Sequence, residues 1–167
     1  AVKPDFLAQL TTLLPDIPSL GPAVLLAAVC FSCSMILLSA PSVSLEGKQY
    51  WVSRSLPIPS YSILRAKVRL HLLVSLVSGL IGSAVACFAG RPDIPGGLVM
   101  FLIPASLGAC MAYLGVCVNL HFPRLDWTSE AMVVKQGMSV VVTMLIGYLV
   151  VAAMVVSYIY LRRLGNP

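Results

Sequence analysis

The run LLVSLVSGLIGSAVACFAG, residues 72–90, contains no Asp, Glu, Lys or Arg, and residues 17–45, 94–120 and 136–161 share that property. A helix rises about 1.5 Å per residue and needs about 20 apolar residues to cross roughly 30 Å of hydrocarbon. Each run is long enough. The pattern predicts an all-α integral membrane protein with transmembrane helices near 21–40, 69–89, 97–120 and 138–161. Together they make one transmembrane domain, residues 21–161, with short helices in the connecting loops. Of the 167 residues, 59% are hydrophobic and 10% charged, whereas a soluble domain carries about 25% charged residues. No lumen-and-lipid alternation of the kind a β-barrel needs is present.

Residues 1–20 read as an external or interfacial segment, and 162–167 as a tail. The first apolar stretch lacks the basic flank and small-residue cleavage site of a signal peptide. Phe6, Leu10, Leu13 and Leu14 suit either a connecting loop or an amphipathic turn lying on the bilayer. Basic residues set the orientation. Lys48, Arg54, Arg65, Lys67, Arg69, Arg124 and Lys135 fall on the face of loops 41–68 and 121–137, against Lys3, Arg91, Arg162 and Arg163 on the other. The excess places both loops in the cytoplasm, at the plasma membrane. The net charge of +5 is an orientation signal, and no basic face for nucleic acid exists apart from the helix ends.

The spans hold no acid or strong base at mid-depth, where ionisable groups usually serve coupling. Arg65, Lys67, Arg69 and His71 read as a collar among headgroups. Small residues recur four apart at Ser75, Gly79 and Ser83, and again at Ser139, Thr143 and Gly147, a spacing that lets helices approach closely in lipid. Pro104 is placed to kink its helix, and RPDIPGG before it reads as a tight external turn. Cys30 and Cys33 spell CFSC, but thiol exchange needs a reachable thiolate. Within apolar spans the cysteines are expected to act as small hydrophobes. His71 and His121 have no ligand partners at metal spacing, and LEGKQY lacks the glycine-rich loop of a phosphate-binding site. The chain is therefore not expected to be an enzyme, to bind a metal, or to hold a cofactor of its own.

Charge concentrates in SLEGKQYWVSRSLPIPSYSILRAK, residues 44–67. Residues 44–56 suit a short amphipathic helix with Leu45, Val52 and Leu56 on one face and Trp51 beside them. Pro57 and Pro59 end it, and Ser60 is placed to cap the next span. The second loop, NLHFPRLDWTSEAMVVKQG, residues 119–137, has Asp126 or Thr128 as a helix start with Glu130 in the first turn. Trp51, Trp127, Arg54 and Arg124 are residue types favoured at interface cores.

Both loops resemble those of bacterial ABC exporter permeases. In the first the matching residues are Glu46, Gly47, Lys48, Trp51, Ser55, Leu56, Pro57, Ala66 and Lys67. In the second they are Pro123, Arg124, Leu125, Asp126, Trp127, Glu130, Val134, Lys135 and Gln136. The resemblance covers residues 20–161 and implies the membrane subunit of an ATP-driven exporter, here a C-terminal portion of it. Such a subunit docks a separate ATP-binding subunit, which carries ATP and Mg, and sits beside a second permease half in the bilayer. It implies docking through Glu46, Lys48, Trp51, Arg54, Leu56, Pro57, Arg124, Asp126, Trp127, Glu130, Lys135 and Gln136 in loops 44–60 and 121–137. Two other classes compete with it: a four-helix membrane thiol oxidoreductase using CFSC, and a non-transporting membrane scaffold.

Overall fold

The computed structural model describes residues 17–165, and every regular element among them is helical. The helices are α1 (Ile17–Ser34), α2 (Tyr50–Ser55), α3 (Ser60–Gly90), α4 (Ile94–His121), α5 (Glu130–Gln136) and α6 (Met138–Gly165), with a 3-10 segment at Ser44–Gln49. The amphipathic turn considered for Phe6 to Leu14 lies outside the described residues. Helix α6 runs on to Gly165, into the stretch expected as a tail.

Among the described residues, three stretches are long and apolar enough to cross a membrane: Ser60–Gly90, Ile94–His121 and Glu130–Leu161. The first expected span does not reach that length. Its helix stops at Ser34, and residues 35–43 turn back into the bundle, burying Ser39, Ala40, Pro41 and Val43. Pro41 has no N–H to give a helix. Gly115 of α4 makes room for the turn, since a Cβ there would collide with Ser39 Oγ and lie 3.1 Å from Ala40 N. An apolar run thus hides a break that hydropathy does not register.

Helix α4 forms the middle of the molecule. It buries Met100, Pro104, Leu107, Gly108, Met111, Ala112, Gly115, Val116 and Asn119, the three-and-four spacing of a helix packed along one broad stripe. It contacts α1, α3 and α6, while α1 also touches both α3 and α6, so α3 and α6 flank the α1–α4 pair. The buried stripe of α3 is Val68, His71, Ser75, Gly79, Ser83 and Ala86. Such small side chains bring backbones close: a Cβ on Gly108 would sit 2.9 Å from Ser75 Cβ. The opposite face of α3 leaves Leu73, Leu76, Val77, Leu80, Ile81 and Phe88 exposed, a surface suited to hydrocarbon.

Local rules account for several ends. Helix α4 continues through Pro104. A proline removes the hydrogen bond to the carbonyl four residues earlier, here that of Met100, and Ser83 Oγ donates to this oxygen at 2.6 Å. The neighbouring helix thereby satisfies a carbonyl that the bilayer would leave bare. Arg91 takes a left-handed conformation, φ 42°, and closes α3 with its N–H on Cys87 O. Helix α3 starts one residue earlier than expected: Pro59 is its N-cap and Ser60 its first residue. Likewise Ser129, rather than Asp126 or Thr128, precedes α5. The single short helix expected over 44–56 is broken: Gly47 at φ 52°, ψ −132° interrupts the 3-10 segment Ser44–Gln49, and α2 begins only at Tyr50.

Candidate functional site

Where the first span turns back, its non-helical backbone needs partners, because unpaired amides are costly away from water. Side chains from α3, α4 and the second loop supply them. Asn119, with no exposed surface, accepts from Val43 N at 2.8 Å and Ser44 N at 2.9 Å through Oδ1. Its Nδ2 donates to Ser44 Oγ and to Ser139 Oγ, each at 2.8 Å. An amide side chain has two donors and two acceptor sites, and all four are used. One residue near the end of α4 thus ties the turn to the first residues of α6.

Ser44 is the other half of this junction. Besides its bonds to Asn119, its Oγ accepts from Arg124 N at 3.0 Å and its carbonyl accepts from Trp127 Nε1 at 2.8 Å. The Trp127 ring lies over Gly47, where a Cβ would be 2.9 Å from Nε1 and Cε2. Gly47 therefore meets two demands at once. Its positive φ disfavours any L side chain, and the indole leaves no room for one. The two charged loops, far apart in sequence, form one platform joined at Ser44, Gly47 and Trp127.

Helix α3 holds the turn from the other side. Ser39 N donates to His71 Nδ1 at 3.2 Å, and Ser39 Oγ lies 2.8 Å from the same nitrogen. Since a backbone N–H can only donate, Nδ1 is the acceptor and the neutral ring carries its proton on Nε2. Lys67 pairs with Glu46 Oε1 at 2.7 Å and also donates to the Ser42 carbonyl. The expected basic collar is thereby divided. Arg65 and Arg69 are exposed as a collar should be, but Lys67 and His71 point inward. Four-residue spacing puts Lys67, His71 and Ser75 on one helical face.

The structure also sorts the expected docking residues. Trp127 and Glu46 are partly buried and engaged within the chain. Lys48, Trp51, Arg54, Leu56, Pro57, Arg124, Asp126, Glu130 and Lys135 are exposed, and Gln136 is the last residue of α5. Trp51 is 68% exposed on α2, a helix whose main contacts are with the 3-10 segment alone. Arg54 lies over the Tyr50 ring, 5.6 Å from its centroid.

Sequence reasoning missed Asn119 and Ser44, placed Ser139 only in a packing stripe, and read His71 and Lys67 outward. The legible signal was a lone Asn at the end of an apolar span, where a polar side chain usually has a partner. Cys30 and Cys33 are buried and face different neighbours, Cys30 packing with Leu107 and Met111 and Cys33 with Ala86 and Met100. Among the described residues, no three His, Cys, Asp or Glu side chains gather as a metal would need. Comparison with family models, characterised proteins and solved structures finds no match for this chain.

Proposed function

We propose that this chain is a membrane-embedded permease subunit of an ATP-driven exporter, with loops 44–60 and 121–137 receiving a separate ATP-binding subunit on the cytoplasmic side of the plasma membrane. One observation carries the reading. Two Trp-bearing charged loops are fused into one platform by Trp127, Ser44 and Gly47. That platform is hydrogen-bonded to α4 and α6 through Asn119 and ion-paired to α3 through Lys67. A push on the platform would therefore reach three helices through short, well-connected links, as a rigid-body transition requires. ATP and Mg belong to the partner, and a second permease half completes the transmembrane pathway.

In this reading Trp51 is the anchor presented to the partner, with Lys48, Arg54, Leu56, Pro57, Arg124, Asp126, Glu130, Lys135 and Gln136 around it. Asn119, Trp127 and Gly47 hold the platform that presents them. The test is co-purification with a co-expressed ABC-type ATP-binding subunit, at matched membrane expression. Trp51→Ala should remove an exposed aromatic anchor that docking would bury and cost about 2 kcal/mol of binding, and Arg54→Glu should oppose docking by charge. Both variants should insert normally, because insertion depends on the untouched apolar spans. Wild-type co-purification and ATPase stimulation in both would overturn the docking assignment.

A further inference from the structure

Helix α2 stands off the bundle, and between it and the first turns of α3 lies a cleft of about 170 Å³. Its polar lining includes Glu46, Arg54 and Lys67, and its apolar lining includes Leu64 and Leu120. We propose that this cleft binds a phospholipid headgroup and selects for an ammonium that carries an N–H, as in phosphoethanolamine lipids. The inference depends on the membrane reading but not on ATPase docking.

Three observations carry it. First, the cleft is amphipathic and lies at the end of α3 that carries Arg65 and Arg69, the level at which basic residues meet headgroups. An acyl chain leaving the headgroup can run along Leu64 and Leu120.

Second, the cleft has a place for phosphate. Among the described residues Arg54 has no carboxylate partner, and a guanidinium suits phosphate oxygens bidentately. Beside it, α3 begins at Ser60 with no side-chain cap from Pro59 and no acid in its first turn. Its Ser62 N–H donates to Pro59 O, but no acidic side chain offsets the positive end of its dipole.

Third, a carboxylate in the cleft wall, that of Glu46, has an unmet acceptor. Glu46 gives Oε1 to Lys67, while Oε2 is shielded from solvent and has no donor. A shielded carboxylate oxygen without a donor is costly. The last torsion of a Glu side chain is broad, so a small rotation turns Oε2 to the cleft while Oε1 stays near Lys67. An ammonium one phosphodiester arm from the Arg54-bound phosphate then gives Oε2 its hydrogen bond. A quaternary choline has no N–H to give, and a glycerol headgroup has no positive charge.

The experiment uses the detergent-purified chain and native mass spectrometry. Phosphatidylethanolamine, its N-methyl and N,N-dimethyl derivatives, phosphatidylcholine and phosphatidylglycerol are titrated with identical acyl chains. Loss of one charged hydrogen bond corresponds to about a tenfold change in affinity. Binding should therefore hold through the dimethyl lipid and fall by that factor at phosphatidylcholine. Glu46→Gln should abolish this step, and Arg54→Gln should weaken every lipid by a similar factor. Equal affinity for phosphatidylethanolamine and phosphatidylcholine overturns the proposal, as does stronger binding of phosphatidylglycerol. The methylation series on the wild-type chain decides the matter even where Glu46→Gln fails to fold.

Discussion

Trp51 and Trp127 lie in the two charged loops and look alike in sequence, yet the fold gives them opposite roles. Trp127 donates its indole N–H to Ser44 O and covers Gly47, so its ring is mortar between the loops. Trp51 projects from a helix that touches little else, with 68% of its surface exposed. The difference comes from what each ring finds nearby. Residue 47 has no Cβ and a free carbonyl lies within reach of Trp127, whereas α2 offers Trp51 neither a groove nor an acceptor. An aromatic in a polar loop is thus no sign of a partner surface until the internal contacts are known. Here only one of the two is available to a partner.

The sharpest way to break the comparison is to remove what holds the inner Trp in place. Asn119→Leu keeps the volume but strands Val43 N, Ser44 N and Ser139 Oγ in a buried setting. With about 1–3 kcal/mol for a stranded polar group, we expect about 3 kcal/mol or more of destabilisation, read as a lower midpoint in detergent thermal unfolding. Asn119→Asp retains both acceptor contacts and loses the donors, so its loss should be smaller. Equal stability of the Leu variant and wild type would mean the junction is not what anchors the turn.

Gly47→Ala comes next. It places a Cβ at a positive φ and against the Trp127 ring, and a residue held in such a conformation costs about 1–3 kcal/mol. The expected result is a moderate fall in the unfolding midpoint and a change in Trp127 fluorescence, best measured with Trp51 replaced by Phe. Trp51→Ala should leave that midpoint near wild type, because little of the ring is buried to lose. Its effect should appear in partner binding alone. A thermal loss as large as that of Gly47→Ala would mean that Trp51 packs on something within the chain.

Much of the architecture was readable from the uncharged runs. The stretches around residues 69–89, 97–120 and 138–161 all lie within long apolar helices. The run at 21–40 misled because hydropathy measures side chains, whereas the break near Ser34 depends on Pro41, small Ser39 and Ala40, and the space over Gly115. The site was legible as two motifs but not as one object. Nothing in either loop alone says that Trp127 reaches Ser44, a contact spanning 83 residues. The inward turn of His71 was available in principle. Helical spacing aligns it with Ser75 and Gly79, small residues already assigned to a packing stripe, and a side chain on that stripe cannot also face headgroups.

The smallest effect concerns the cysteines, which test whether chemistry resides in the spans at all. Cys110 and Cys117 are exposed on α4, on faces that would meet lipid, and changing them to Ser or Ala removes no packing. Cys30 and Cys33 are buried in separate clusters, so each Ala substitution trims a small side chain from the core, at about 1 kcal/mol or less by comparison with deletion of one buried methylene-sized group. Cys87 is partly buried, its sulfur 3.9 Å from that of Met100, and should behave likewise. A chain with all five cysteines replaced by Ala should insert and assemble with its partner at wild-type levels, with only a modest fall in unfolding midpoint. A thiol oxidoreductase gives the opposite result. Cys30→Ala or Cys33→Ala alone would abolish function at unchanged stability, and Cys110→Ala would not. Measuring substrate-stimulated ATP hydrolysis beside thermal stability separates the two, since packing predicts that any loss of activity tracks stability.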